Sequence, residues 1–320
     1  MIIPRIRIAH LPTPLEPLPG LSAFLGGPSI IIKRDDLTGV GFGGNKIRKL
    51  ELLLAEAQAN GAEMLITTGA VQSNHCRQTA AVAAKYGLAC TLVLAGDKPD
   101  QASGNYALDL LFGAEIVWTQ RGVRDETLKR MFDEAWQDGK RPFLIPYGGS
   151  SPTGAAAFVL AMQELAQQGL NPDWIVFASS SGGTQAGMVV GAKLTGFSGK
   201  ILGISVDEPA GTLQDKVVEL ANQLCERHNL PYSFAKEEIL INDNFIGPGY
   251  GIFTEVEKEA IHLFAQKAAI LLDPVYTGRA AGGLIDLIRK GVIKRGETVL
   301  FWHTGGLPAL FAEPYLHQLI

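Results

Sequence analysis

The chain has 320 residues and a formal net charge of −4, with 47% hydrophobic and 19% charged side chains. This length can bury a substantial core in one large or two medium domains, and the composition excludes disorder and coiled coil. Lys and Arg are spread rather than striped, so no basic field offers itself to a nucleic-acid backbone, and no nucleic-acid partner is expected.

The opening, MIIPRIRIAHLPTPLEPLPG, is broken by prolines and has no long apolar core. It predicts neither a signal peptide nor a membrane span, hence a cytoplasmic protein with no membrane partner. Cys76, Cys90 and Cys225 are scattered, form no C-x-x-C pair and fit reduced thiols. The histidines show no paired metal-ligand spacing, so no metal is expected in the chemistry.

The stretch GFGGNKIRKLE, residues 41–51, places Lys46 between a glycine turn and a helix start. Glycines let backbone approach a ligand, and a helix start offers free N–H groups and a partial positive charge. An anion or a reactive carbonyl could sit there; a solvated surface turn is the simpler reading of the motif alone.

From residue 64 onward, apolar β-rich runs alternate with helical patterns: MLITTGA with HCRQTAAVAAKYG, ACTLVLAG with SGNYALDLLFG, AEIVWT with DETLKRMFDEAWQDG, and RPFLIPYGG with TGAAAFVLAMQELAQQG. DWIVFASSSGG then precedes TQAGMVVGAKLTG, ILGISVDEP precedes TLQDKVVELANQLCERHN, and two helical stretches lead to ETVLFWHTGG. Continuous hydrophobic strands separated by helices predict mostly parallel sheets joined by right-handed crossovers. The expected fold class is therefore α/β, with two doubly wound domains. The expected division is a small α/β domain over 50–155, inserted in a large domain built from 1–49 plus 156–320, because the opening lacks a βα unit of its own.

In such sheets ligands bind beyond the carboxyl ends of the strands, so the strand-to-helix turns are the places for chemistry. In TTGAVQSNHCRQ, Ser73, Asn74 and His75 could cradle a carboxylate or phenolate, or Ser73 could simply cap a helix. SSSGGTQAG, with Gly182, Gly183 and Thr184, suits a phosphate monoester; it matches neither the P-loop nor the dinucleotide fingerprint. LLDPVYTGRAAGG brings Asp273, Tyr276 and Thr277 to a helix start, where a structural turn with a packed tyrosine is the competing account. VLFWHTGG ends a strand at His303 and Thr304. A Schiff-base lysine, a cradle for one phosphate monoester and no metal are together what pyridoxal 5′-phosphate requires. Lys46 is the candidate for the aldehyde, and Lys49, one helical turn on, for the phosphate counter-charge.

Six segments in order, KRDDLTGVGFGGNKIRKLE, GAVQSNHCRQTAAVAAKYGL, SSSGGTQAGMVVG, GPGYG, DPVYTGRAAGG and HTGG, resemble the pyridoxal-phosphate enzymes of the tryptophan-synthase-β fold (fold type II). Within them the chain is similar to the D-cysteine desulfhydrase and 1-aminocyclopropane-1-carboxylate deaminase group. The resemblance implies Lys46 as the Schiff-base lysine, Asn74 near the cofactor's ring oxygen, and Gly182, Gly183 and Thr184 at its phosphate with Lys49 close by. It also implies Ser73, Asn74 and His75 at the substrate carboxylate, and Tyr250 and Tyr276 flanking substrate and ring, with a homodimer as the assembly.

Deaminases of this group resemble each other in a Glu after the DPVY tyrosine and a Leu after the final His, where this chain has Thr277 and Thr304. A carboxylate beside the ring nitrogen keeps it protonated and strengthens the electron sink; a hydroxyl does not. Opening a carbon ring should need the stronger sink, whereas expelling a thiolate, with a thiol pKa near ~8.5, should not. The expected reaction is thus β-elimination of D-cysteine to pyruvate, hydrogen sulfide and ammonia. Lys46 is the expected base at Cα, with Tyr276 or Tyr250 as its competitor. Ring opening, or a lyase acting on another β-substituted amino acid such as cysteate, is the alternative. Cys76, inside the substrate turn, is expected to be a small buried helix residue rather than a reactive thiol.

Overall fold

The computed structural model describes residues 3–313 and 315–320. The chain opens with strand β1 (Leu15–Pro17), helix α1 (Pro19–Leu25) and strand β2 (Ser29–Arg34), and then passes through two short 3-10 turns into α2 (Lys46–Ala59). Next come β3 (Met64–Ala70), α3 (Asn74–Tyr86), β4 (Ala89–Ala95), α4 (Gly104–Leu111), β5 (Glu115–Thr119), α5 (Arg124–Gln137), β6 (Pro142–Leu144) and α6 (Pro152–Gln167). The second half runs β7 (Trp174–Ser179), α7 (Gly183–Thr195), β8 (Lys200–Ser205), α8 (Ala210–Arg227), β9 (Leu240–Asn242), α9 (Glu255–Ala268), α10 (Thr277–Arg289) and β10 (Thr298–His303), and closes with α11 (Leu307–Leu310) and α12 (Tyr315–Leu319).

Two sheets result. One has the order β5-β4-β3-β6 and is parallel throughout; the other has the order β1-β2-β10-β7-β8-β9, in which only the β1/β2 pairing is antiparallel. The expected α/β class with mostly parallel sheets is what the chain forms. The proline-rich opening has no βα unit, and its β2 pairs with β10 at the other end of the chain, with Ser29 opposite Thr298.

Strands such as Leu92-Val93-Leu94 and Ile175-Val176-Phe177 are fully buried because helices cover both faces, which is why they read as unbroken apolar runs. Helix α2 lies between the two cores. Its Leu50, Leu53 and Leu54 pack with Leu65, Leu92 and Val82 of the smaller sheet's layers, while Leu52 joins Phe158, Phe177 and Trp302 of the larger. Each such leucine contributes about 2 kcal/mol of burial.

The same helix is anchored by charge. Arg48 donates to Asp35 at 2.8 and 2.9 Å and to Glu164 of α6 at 2.8 and 2.9 Å; Lys33 donates to Glu164 at 2.5 Å and to the Thr13 carbonyl at 2.9 Å. Trp302 Nε1 and the Thr13 hydroxyl complete the shell of Asp35. The N-terminus of α2, and hence Lys46, is fixed between the sheets.

Candidate active site

The carboxyl ends of β3, β7 and β10 and the start of α2 face one cavity. It is lined by Lys46, Ser73, Asn74, His75, Gly182, Thr184, Tyr276 and Thr304, eight of the residues singled out in the sequence. It is also lined by Asn45, Tyr147, Gly148 and the Ser179 to Ser181 run. No helix among the described residues is long and apolar enough to cross a membrane, and no group of three or more His, Cys, Asp or Glu is arranged to hold a metal ion.

Lys46 opens α2 and reaches the cavity while protein surrounds it, and this burial lowers its amine to about 8. Lys49 is fully buried one turn on; burial lowers it well below the usual lysine value, and the neighbouring Lys46 charge adds to that. Its amine donates only to the Gly148 carbonyl at 3.1 Å and the Ser150 hydroxyl at 3.3 Å. Neither lysine has a carboxylate partner among the described residues, and an anion bound beside Lys49 would offset the burial that holds its amine neutral.

The glycine turn after β7 is shaped for that anion. Gly182 caps α7 at φ 80, a conformation that favours glycine, and a Cβ on Gly183 would lie 2.6 Å from the Ser150 hydroxyl and 3.0 Å from Lys49 Nζ. Gly183 and Thr184 supply first-turn N–H groups of α7, a helix of 13 residues. Asn45 Nδ2 donates to the Thr184 hydroxyl at 3.3 Å and ties this turn to the residue before Lys46.

The turn after β3 carries both of the readings its sequence allowed. Ser73 lines the cavity, and its hydroxyl also caps α3 by accepting from Cys76 N at 3.2 Å. Asn74 Oδ1 accepts from Asn105 Nδ2 at 2.8 Å, which fixes its amide; Asn105 lies on α4 and carried no signal in the sequence. The Thr67 hydroxyl spends its proton on the Ile145 carbonyl at 2.8 Å, so across the 2.9 Å contact with His75 Nε2 the histidine must donate. Its Nδ1 is then a bare acceptor, buried without a partner among the described residues. Burial, and after it the charges of Lys46 and Lys49, lower His75 well below the usual histidine value, so the ring is neutral. That ring cannot donate to a carboxylate through Nδ1; the donors at this turn are the Ser73 hydroxyl, which keeps its own proton, the Asn74 side-chain amide and the N–H groups at the start of α3. Cys76 is fully buried, and burial raises its thiol well above the ordinary value, in keeping with a packed rather than a reactive thiol.

Tyr276 lines the cavity, and Tyr250 stands behind it with its hydroxyl 2.5 Å from that of Tyr276. Burial pushes both phenols well above 10, with neighbouring phenols adding to the effect. Thr277, expected at the cofactor, is not among the lining residues. Its hydroxyl donates to Asp273 Oδ1 at 2.7 Å and accepts from Asp273 N at 2.8 Å, and Asp273 also takes the N–H groups of Val275, Tyr276 and Thr277. Thr277 closes the turn that aims Tyr276; Thr304 is the threonine at the cavity wall.

Tyr147 was missed. Burial raises its phenol, Asp207 adds to that, and the Arg124 guanidinium lies 4.3 Å from its ring centre. It sits in IPYGG beyond β6, a strand-to-helix turn of the same kind as the four examined, and that placement was the available signal.

The residues fit pyridoxal phosphate: a buried amine whose pKa is lowered to about 8, a cradle for one phosphate and a second buried lysine beside it that a phosphate would charge. A family model for pyridoxal-phosphate-dependent enzymes matches residues 6–305. A crystal structure described as an ACC deaminase homologue shares 37% identity with a TM-score of 0.91, covering 99% of this chain and 95% of its own. The fold is shared at 16% identity by a fungal L-serine ammonia-lyase from Rhizomucor miehei, with a TM-score of 0.70 and coverage of 97% of both chains. It is also shared at 16% identity by a hydrogen sulfide-producing enzyme from Fusobacterium nucleatum, with a TM-score of 0.65 and coverage of 93% of this chain and 96% of that one. The chain belongs to the family of pyridoxal-phosphate-dependent enzymes.

Proposed function

We propose that the protein is a lyase that eliminates the β-substituent of a small amino acid, and that D-cysteine is the substrate its site suits best, giving pyruvate, hydrogen sulfide and ammonia. One observation carries the reading: among the described residues no Asp or Glu lines the cavity, and a hydroxyl, Thr304, stands where the deaminases that this chain resembles have leucine. Without a carboxylate to keep the cofactor's ring nitrogen protonated, a good leaving group such as thiolate is favoured over a carbon ring.

When bound, the cofactor supplies an electron sink that acidifies the substrate's Cα. Lys46 would hold it, and as a buried amine lowered to about 8 it is suited to take the Cα proton near neutral pH. Ser73 and the N–H groups opening α3 orient the substrate carboxylate. Lys49 and the Gly182-Gly183-Thr184 turn would hold the phosphate, Asn74 would face the ring, and Thr304 would offer it a hydroxyl rather than a charge. Tyr276, backed by Tyr250, keeps its proton and can donate a hydrogen bond to the departing sulfur, stabilising its developing charge. The released enamine hydrolyses to pyruvate and ammonia. A homodimer, a cytoplasmic location and the division into a 50–155 unit and the remainder belong to the same proposal.

The test is to load the purified protein with cofactor and supply D-cysteine, L-cysteine and 1-aminocyclopropane-1-carboxylate side by side, scoring sulfide, pyruvate and 2-oxobutyrate. Sulfide and pyruvate from D-cysteine alone support the proposal. 2-Oxobutyrate from the cyclopropane, or sulfide from L-cysteine only, overturns it.

A further inference from the structure

Arg77 of α3 is fully buried, and among the described residues no carboxylate holds it by a hydrogen bond. Asp109 and Asp273 are the carboxyl groups whose charge reaches it, but both Asp109 oxygens are buried without a partner, and Asp273 is spent on its own turn. Burial lowers the guanidinium to about 10 against the pull of those two groups, so it stays charged at neutral pH. Its Nη2 donates to the Gly43 carbonyl at 2.7 Å and its Nη1 to Asn105 Oδ1 at 3.0 Å. A buried charge is costly, and this one is directed at two groups that lead to the cavity. Gly43 belongs to the turn before Lys46, and Asn105 touches Asn74.

The second of these connections has a direction. Asn105, at the start of α4, is fully buried, and its Nδ2 donates to the Gln72 carbonyl at 2.9 Å and to Asn74 Oδ1 at 2.8 Å. An arginine can only donate and a backbone carbonyl can only accept, so the Asn105 amide has one allowed orientation. That orientation is passed on: Asn74 must present its oxygen to Asn105, and its N–H groups are the end left for the cavity that Asn74 lines. Amides in a chain headed by a cation polarise one another, so the last N–H is a stronger donor than a free one. The residue after Arg77 supports the same junction, since Gln78 Oε1 accepts from Ile47 N at 2.9 Å, directly after Lys46.

We propose that Arg77 and Asn105 are positioning residues: through Asn105 the buried guanidinium locks the Asn74 amide with its N–H groups toward the cofactor's ring oxygen, and through Gly43 it holds the turn that carries Lys46. This rests on Asn74 facing the ring, as in the function proposed above, and not on the identity of the substrate. One buried cation thereby sets the lysine and the ring contact relative to each other.

The test compares pyridoxal 5′-phosphate with 3-deoxypyridoxal 5′-phosphate, which lacks the ring oxygen, through dissociation constants read by absorbance on the wild type and three variants. Relative to the wild type, the preference for the cofactor over the analogue should fall about tenfold in Asn74→Ala, the scale of one lost charge-assisted hydrogen bond. Asn105→Asp should lose at least as much, because its carboxylate keeps Arg77 but can no longer donate, which turns the Asn74 oxygen toward the ring. Arg77→Met should weaken both ligands by loosening the Lys46 turn, and the cofactor about threefold or more beyond the analogue. A purely structural role would weaken both ligands equally and leave the preference unchanged. In wild type labelled with nitrogen-15 asparagine, the side-chain amide signals of Asn74 and Asn105 should both move on binding the cofactor and much less on binding the analogue, which keeps the proposal testable if the variants do not fold. A preference intact in Asn74→Ala overturns the placement of Asn74 at the ring, and the role of Arg77 and Asn105 with it. A preference lost in Asn74→Ala but intact in Asn105→Asp and Arg77→Met, or an Asn105 signal indifferent to the ring oxygen, overturns the positioning role alone.

Discussion

The hydroxyls of Tyr250 and Tyr276 lie 2.5 Å apart with the rings edge-on at 75°, and only Tyr276 lines the cavity. Burial keeps both protonated, so the pair presents one exchangeable proton toward the cavity with a second hydroxyl behind it. Tyr276→Phe should lower kcat/KM for the elimination by roughly a hundredfold, the scale of a lost hydrogen bond to a developing charge. Tyr250→Phe should cost only about tenfold, because the inner phenol survives and loses one hydrogen bond. Steady-state kinetics on both variants decide this; equal losses would mean that the two phenols share the role.

Lys46 makes a prediction with a fixed sign. Its neutral amine is the nucleophile, and burial lowers its pKa to about 8 from 10.5. Capture of pyridoxal phosphate by the cofactor-free protein should speed up as pH rises through about 8 and level off above it. An ordinary lysine would still be gaining two units higher. Stopped-flow absorbance across that range measures the midpoint, and Lys46→Ala should yield no borohydride-reducible adduct. A midpoint near 10 would show that water reaches the amine freely.

The parallel sheets were legible because strands covered on both faces are written as unbroken apolar runs, and the turns beyond them because glycine, serine and asparagine cluster there for steric reasons. What the chain did not display was contact between distant segments. β1 has only three residues and pairs antiparallel on a sheet edge, and β2, though six residues long, runs into 3-10 turns rather than a helix, so neither shows the strand-then-helix pattern that marked the others. Thr277 illustrates the harder limit. A hydroxyl before a helix looks the same whether it meets a ligand or closes its own turn, and only Asp273 four residues upstream decides between them. Asn105 reaches the cavity wall from α4 through tertiary packing that no local pattern encodes, whereas Tyr147 follows β6 in a strand-to-helix turn that could have marked it.

The turn around Thr277 gives a third prediction. Thr277→Val would leave Asp273 N buried without its acceptor and remove a donor from the carboxylate, at a cost of about 1–3 kcal/mol, while Thr277→Ser keeps both bonds. Thr277→Glu should be worse, since it sets a second carboxyl against Asp273 in a fully buried place. Denaturant unfolding should rank the proteins wild type, Ser, Val, Glu. Because Tyr276 lies within this turn, its N–H held by Asp273, kcat should fall with stability in Val and Glu. A stable Thr277→Glu protein that opened the cyclopropane ring would show that this side chain can turn toward the cofactor after all.

The network beneath α2 predicts an acid limit. Glu164 is partly buried, which by itself would raise its pKa, yet Arg48 and then Lys33 hold it down to about 2 from 4.5. Burial nevertheless lowers Lys33, so Arg48 is the firmer partner. A carboxyl whose folded pKa is depressed adds stability that is fully present above its unfolded value and is lost as pH falls through the folded one. The window is therefore from about 4.5 down to 2, and at ~1.4 kcal/mol per pH unit the loss is about 3 kcal/mol. Glu164→Gln should destabilise the protein at pH 7 by at least that amount, since it leaves Arg48 and Lys33 short of an anion in a buried place. It should also flatten stability against pH across the window. Because Arg48 lies two residues beyond Lys46 on the same helix, the variant should in addition slow cofactor capture at pH 8, where its global stability is still ample. Parallel pH slopes for wild type and Glu164→Gln would locate the acid sensitivity elsewhere, and normal capture by the variant would mean that the packing of Leu50, Leu52 and Leu53 alone is enough to aim Lys46.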